Sequence, residues 1–424
     1  MAQIRPFRGV RYNSAVVGDL RSVISPPYDV ISPDQQTLLH LRHPYNAVHL
    51  DLSQEAEPYA HAARTLRAWL DRGVLVRDHE PVLYFSIQEF SLKDGSTHRR
   101  AGVFVALRLE EFSSGVVRPH ERTFEDAKKD RLALLRACQM HLSPIFCLYS
   151  IPGWSITRVV EPELGAAPLI DVVDEQNVRH RLWRVTDQRL MSEISTRLAP
   201  ASLIIADGHH RYETALRYCQ EVAAQEPGRE DAPFHYVLAY LTNAQEDGLV
   251  IFPTHRLLRG VSLPPAQALR TVLHRAFRLT VFPVHESAAF LRALRAPAAE
   301  RRIGCVVAGA GHYWLLAFDE RVTRTLAVPA PLRDVDVTVL HELILSRLLG
   351  LTAQAQTQHL EYILDEEEAI RLVATRQCQA AFLLNPTTFA QIDRVCAAGE
   401  VMPQKSTYFF PKLPTGLVFL PARD

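Results

Sequence analysis

Lysine is scarce in this chain. Of its 47 basic residues only five are lysine: Lys93, Lys128, Lys129, Lys405 and Lys412. A sequence that writes nearly every positive charge as arginine keeps compact ammonium groups for a few places, and four of the five fall in two short, motif-like segments. Net charge is also lacking. The 47 acidic residues balance the basic ones, so no overall field draws the protein onto nucleic acid or an anionic membrane. A local basic site stays open. No stretch approaches the roughly 20 apolar residues of a spanning helix. Around Arg5, Arg8 and Arg11 the apolar residues are too interrupted for a signal peptide, so the expected location is cytoplasmic. The six cysteines (Cys138, Cys147, Cys219, Cys305, Cys378, Cys396) make no CxxC pair. Neither a zinc knuckle nor a redox dithiol is indicated, and buried small hydrophobes are expected. There is no GxGxxG, HExxH or GxSxG, which argues against a Rossmann dehydrogenase, a zincin protease and an ordinary α/β-hydrolase.

What is present is a folded chain of 424 residues, 47% apolar and 22% charged, too long for one ordinary core. Pro58 to Gly73 repeats apolar residues at helical spacing (Ala62, Leu66, Trp69, Leu70) and ends on a capping glycine. Val82 to Phe90 and Gly102 to Leu109 alternate around Lys93-Asp94-Gly95, which predicts a hairpin. Ser143 to Tyr149, Leu203 to Ala206, Phe234 to Leu241 and Leu249 to Pro253 read as buried strands, Asp130 to Ala137 and His209 to about Ala224 as helices. Residues 261–330 pattern as helix, strand, helix and a hairpin around Gly309-Ala310-Gly311. Helices near Val335 to Leu349 and Glu366 to Arg376 and a strand at Ala381 to Leu384 follow. The expectation is an α+β, mixed α/β fold in four stretches. They are 1–115 with the hairpin, 116–260 as the core, 261–330 as an α/β insert, and 331–424 as a C-terminal helical region closing onto the site.

The strongest chemical signal is Asp207-Gly208-His209-His210-Arg211, where a strand runs straight into a helix. A helix start offers unpaired N–H groups and a positive dipole end, and Gly208 lets a ligand approach the backbone. Arg211 can fork two N–H bonds to phosphate oxygens, and His209 or His210 can donate a further one. Asp207 could cap the helix and also act as metal or proton partner. The bland alternative, a capping Asp with two core histidines, has to place adjacent residues about 100° apart on one buried face.

Three further segments carry candidates. In Arg118 to Thr123, His120 and Glu121 form an acid/base pair, and Lys128, Lys129 and Arg131 could neutralise phosphate charge. A solvated helix face explains the latter three almost as well. Lys405, Ser406 and Thr407 follow a proline turn like a small-anion loop, without the Walker pattern, or else the segment to Lys412 is stitched across the fold by Tyr408, Phe409 and Phe410. His255 and Arg256 stand at a strand exit, where ligands of open sheets gather. Ser25-Pro26-Pro27-Tyr28-Asp29 is a rigid extended loop, with Asp29 as a nucleotide-facing candidate. No residue is assigned as a metal ligand.

Four of these stretches resemble an uncharacterised bacterial and archaeal family, domain of unknown function 1015. They are Pro26 to Ile31, His120 to Thr123 with Lys129 to Leu132, Ile205 to Ala215, and Gly399 to Pro403 through Thr407. The Asp-Gly-His-x-Arg start is also similar to that of the ParB and sulfiredoxin-like superfamily, which includes kinases of free serine. This resemblance implies a nucleotide-binding core in which Asp207, His209 or His210 and Arg211 contact phosphate while an acidic residue serves as base. Glu121 and Asp29 are the candidates for that base. Sulfiredoxin chemistry needs a cysteine where His209 stands, and ParB-type function needs a basic DNA-binding face. The expectation is a phosphotransferase that uses a nucleotide, ATP or ADP, with Mg²⁺, and acts on the hydroxyl of a small metabolite such as free serine. No nucleic acid or membrane partner is expected, and the sequence does not fix the oligomeric state. The alternatives are a nucleotide-binding regulatory module without turnover and a phosphohydrolase using the same cradle.

Overall fold

The alternation around Lys93-Asp94-Gly95 folds into a hairpin. Leu83–Ser91 pairs antiparallel with Thr97–Arg108, and Gly95 takes the positive φ of 84° that the turn requires. The second strand starts at Thr97 rather than Gly102 because its first residues stay in register with Phe90 and Ser91. The computed structural model describes residues 1–123, 125–165 and 167–424. They form two units, Met1–Pro119, Thr123–Val250 and Pro411–Asp424 in the first, His120–Arg122 and Ile251–Phe410 in the second.

The first unit is built on a nine-stranded mixed sheet: β1 Ile4–Arg5, β2 Leu83–Ser91, β3 Thr97–Arg108, β4 Val117–Arg118, β5 Ile145–Tyr149, β6 Ile170–Val173, β7 Arg179–Val185, β8 Leu203–Asp207 and β9 Tyr236–Asn243. Its order is β4-β8-β5-β9-β3-β2-β7-β6, with β1 paired to β3. The β8·β4 and β9·β5 pairings are parallel and the others antiparallel. Central strands such as β5 and β9 are buried at every position, which is why they read as continuous apolar runs. Helix α1, Pro58–Asp71, buries Ala62, Leu66 and Trp69 and is followed by Gly73 at φ 69°. Helices α2 (Glu125–Cys138) and α3 (His209–Gln225) complete the part of this unit that matters below.

The second unit carries a six-stranded antiparallel sheet: β10 His255–Leu258, β11 Arg278–Pro283, β12 Arg301–Val307, β13 His312–Phe318, β14 Leu360–Ile363 and β15 Ala380–Leu383, in the order β11-β13-β12-β15-β10-β14. Stretches read separately as 261–330 and 331–424 thus contribute strands to one sheet. Its helices include α4 Ala266–His274, α5 Ser287–Arg295, α6 Glu366–Ala374 and α7 Phe389–Ala397. The helix expected near 335–349 is a π-helix over Val339–Leu348. The molecule is a mixed α/β protein, and all six cysteines are buried thiols.

Candidate functional site

Strand β8 ends on a register slip against β5 between Ile205 and Asp207, an irregularity that re-aims the side chain leaving the sheet. Gly208 then takes a left-handed conformation, φ 90° and ψ 28°, as N-cap of α3. A Cβ there would stand 3.1 Å from the Arg211 guanidinium. Asp207 does not cap the helix, and among the described residues no side chain does. Its carboxylate instead accepts from Arg211 Nη2 at 2.7 Å and from Lys412 Nζ. The glycine makes this possible, because Arg211 has to fold back across position 208 to reach Asp207.

The three charged groups are 12–15% exposed, so each partly loses its hydration. Burial pushes the Asp207 carboxyl toward its neutral form. Lys412, Arg211 and His209 outweigh it and hold the group well below the usual carboxylate range. Arg211 Nη1 donates to the Pro144 carbonyl, while its Nε is buried without a hydrogen-bond partner among the described residues. Arg211 borders a cavity of ≈ 50 Å³ shared with Asp51, Arg131, Ser143 and Thr214. Lys412 borders a second of ≈ 60 Å³ beside Ser25, Pro26 and Pro27. His209 is buried and His210 half-buried, so the adjacent histidines do face different surroundings.

Lys412 is the residue that sequence reasoning left out of the site, although lysine scarcity pointed to it. Its position is set by the hairpin. Arg100, wholly buried and opposite Gln88 in the β2·β3 register, donates from Nε and Nη2 to Gln88 Oε1 at 3.0 and 2.5 Å and from Nη2 to the Pro411 carbonyl at 2.5 Å. Gln88 Nε2 donates to the Lys412 carbonyl at 3.3 Å. The guanidinium lies 4.6 Å from the centre of the Phe146 ring. Beyond Lys412 the chain is held by a Ser25–Thr415 bridge and by Leu420–Pro421 pairing with Met140–His141.

The three candidate cations of α2 are engaged with carboxylates. Lys128 bridges Glu125 at 2.6 Å and Glu213 at 2.9 Å, tying α2 to α3. Lys129 is exposed and pairs with Asp126 at 3.2 Å. Arg131 is buried, holds Asp51 Oδ1 at 2.7 Å and Asp130 at 2.5 Å, and packs under the Tyr28 ring at 4.2 Å. The helix face expected to be solvated or phosphate-facing is thus largely spent on ion pairs. Burial pushes the Tyr28 phenol up to about 12, partly offset by the nearby charges of Arg211 and Arg131. Asp29, next to it, is exposed.

The remaining candidates belong to the second unit. His120 is fully buried, its Nε2 2.8 Å from Thr407 Oγ1, and its carbonyl accepts from Met402 N at 2.8 Å. Glu121 pairs with Met402 in a β-bridge. Arg256, also fully buried, does not face solvent at a strand exit. It donates to the carbonyls of Thr254, Gln404 (3.1 Å) and Lys405 (2.9 Å). Ser406 has its carbonyl bound by Thr387 Oγ1 at 3.1 Å and donates to the Pro403 carbonyl. Together these bonds present Lys405, exposed and at a left-handed φ of 54°. His255 is buried, its Nδ1 accepting from Leu384 N at 3.1 Å, and burial with the Arg295 and Arg256 charges lowers its pKa to about 3. It is a neutral core histidine. Among the described residues no three His, Cys, Asp or Glu side chains cluster as a metal site, and no helix is long and apolar enough to cross a membrane.

Among solved structures the chain is similar to a mutant free serine kinase in complex with ADP. The two are 13% identical, with 76% of this chain and 92% of that one covered and a TM-score of 0.38. It is also similar to a conserved hypothetical protein from Pyrococcus furiosus (14% identity, 74% and 93%, TM-score 0.34). A third is SbnI with C-terminal truncation from Staphylococcus aureus (11%, 72% and 84%, TM-score 0.35). No curated protein matches the sequence. Residues 4–338, which include the Asp207 to Arg211 segment, match the family described as "Protein of unknown function (DUF1015)", and the chain belongs to that family.

Proposed function

We propose that the first unit binds the phosphates of a nucleotide at the start of α3 and transfers a phosphoryl group to the hydroxyl of a small metabolite. Free serine is the first acceptor to try, on the motif resemblance. The observation that carries this reading is the Asp207 carboxylate held between Lys412 and Arg211 in front of the left-handed Gly208. Phosphate oxygens compete well for such cations, because they accept charge-assisted hydrogen bonds and gain from the helix dipole. Arg211 Nε, buried without a hydrogen-bond partner among the described residues, supplies a donor that a phosphate would satisfy.

Phosphoryl transfer asks the protein mainly for positioning and charge neutralisation. Arg211 and Lys412 would orient the phosphates, with Asp207 holding both cations in place until the ligand arrives. Mg²⁺, when bound, would neutralise phosphate charge. Magnesium is commonly held by one or two carboxylates plus the phosphates, and the exposed carboxylate of Asp29 fits that role or the role of base.

Full-length protein incubated with ATP or ADP, Mg²⁺ and hydroxylated metabolites including L-serine, followed by ³¹P NMR, tests the reading. A new phosphomonoester resonance that depends on the acceptor supports it. Thermal stabilisation by nucleotide without turnover points to a binding module, and phosphate release without an acceptor to a hydrolase.

A further inference from the structure

The second unit contains a hollow of ≈ 480 Å³, within the range of small-molecule sites. It is lined by the end of α5, the start of β12 and the start of α7. Four guanidinium groups face it (Arg295, Arg301, Arg302, Arg394) against two carboxylates, Glu300 and Asp336. Most of this charge is anchored. Arg295 pairs with Glu366 and Arg394 with Asp334 at 3.4 Å, while Arg302 Nη1 donates to the carbonyls of Ala293 and Ala296 at 2.5 and 3.3 Å.

Arg301 and Asp336 are different. Arg301 Nη2 donates to the Arg333 carbonyl at 2.8 Å and the guanidinium lies 4.8 Å from the Phe318 ring centre. Its Nη1 stands 3.4 Å from Asp336 Oδ1. Both atoms are buried, and among the described residues neither makes a hydrogen bond. Burial raises the Asp336 carboxyl to about 6 despite the neighbouring Arg301, as expected of an acceptor whose partner is incomplete. A buried donor and a buried acceptor side by side, both unsatisfied, cost free energy. A ligand carrying an acceptor next to a donor would relieve both at once.

We propose that this hollow binds a small α-amino or α-hydroxy acid, its carboxylate accepting from Arg301 and its α-ammonium or hydroxyl donating to Asp336. Arg302 and Arg394 add attraction for the carboxylate. Inorganic phosphate fits less well, since it concentrates charge against Asp336 and Glu300 and offers fewer donors. The proposal stands independently of the Asp207 site.

Isothermal titration of the full chain without nucleotide, against L-amino acids, L-lactate, L-malate and inorganic phosphate, tests it. At least one acid should bind below about 1 mM. Arg211→Ala should leave that affinity unchanged, which separates this site from the nucleotide site. Asp336→Asn should weaken an amino acid by about tenfold or more, the loss of a charge-assisted bond, and a hydroxy acid less, which tells the two ligand types apart. Arg394→Ala, at the rim, carries the test if Asp336→Asn does not fold, and should weaken binding in a salt-dependent way. The proposal is overturned if no acid binds, if phosphate binds as tightly as the acids, or if both hollow variants bind like the parent.

Discussion

Arg100 donates to the carbonyl of Pro411 across 2.5 Å, joining positions 311 residues apart. The next side chain, Lys412, reaches Asp207. A buried guanidinium therefore sets, through one backbone carbonyl, where an ammonium meets a carboxylate. Burial pulls Arg100 down to about 10, so it keeps its charge at neutral pH. Arg100→Met should strand the acceptors of Gln88 and Pro411 at about 1–3 kcal/mol each. Urea unfolding would measure that loss. Nucleotide affinity should fall with it, although Arg100 is not placed against the ligand.

Arg211→Ala should weaken nucleotide binding by about 1.5–3 kcal/mol, the scale of a charge-assisted contact, and Lys412→Met by a similar amount. Isothermal titration with ADP checks both. Unchanged affinity in both variants would remove the phosphate cradle from the account.

Gly208→Ala combines a positive φ with a methyl group 3.1 Å from Arg211. It should cost about 1–3 kcal/mol of stability and push Arg211 off Asp207. A variant that melts like the parent and binds ADP equally well would show that the left-handed turn is dispensable.

Two buried histidines, His255 and His141, and the half-buried His341 make the protein acid-sensitive. Burial lowers His255 to about 3, and His141 and His341 to about 4, against about 6.5 in an unfolded chain. Above pH 6.5 both states are neutral and the stability is complete. As pH falls below 6.5 the unfolded chain takes up protons first, so each histidine removes about 1.4 kcal/mol per pH unit until its folded pKa is reached. Denaturant unfolding between pH 7.5 and 5 should show this slope, and His255→Asn should reduce it by one proton's worth. A flat profile would contradict the burial of these rings.

Lys405→Gly tests the backbone strain of one loop residue. Glycine accepts a φ of 54° without the steric cost of a Cβ, so stability should rise by about 1 kcal/mol. Urea unfolding measures the gain, and a variant no more stable than the parent would show that the left-handed turn at 405 carries no strain.

How much of this was readable in the sequence depended on distance along the chain. The hairpin, α1 with its terminal glycine, and the strand-glycine-helix junction at 207–211 are local patterns, written in periodicity and turn chemistry. The partners of those residues are not local. Asp207 looked like a helix cap because a short acidic residue before a helix usually is one, yet its carboxylate is claimed by a lysine 205 positions on. Arg256 and His255 read as ligand-facing from their place on a strand, but both side chains are buried, with Arg256 donating to backbone carbonyls and His255 Nδ1 accepting from a backbone N–H. The π-helix over Val339–Leu348 changes the hydrogen-bond pattern without changing the apolar spacing that announced a helix. Strand Leu360–Ile363 is too short, and too exposed at Glu361 and Tyr362, to alternate visibly.

Because Lys412 arrives on a strap pinned by Arg100, Gln88 and the Leu420–Pro421 pairing, the order of synthesis matters. The sheet, Gly208 and Arg211 all leave the ribosome well before residue 412 does. Until the strap emerges and threads into place, Asp207 is without the nearer of its two ion-pair partners, and the proposed phosphate cradle is incomplete. Chains cut before the strap would lack the Lys412 ammonium beside Asp207 and, with it, one of the two cations of the proposed phosphate cradle.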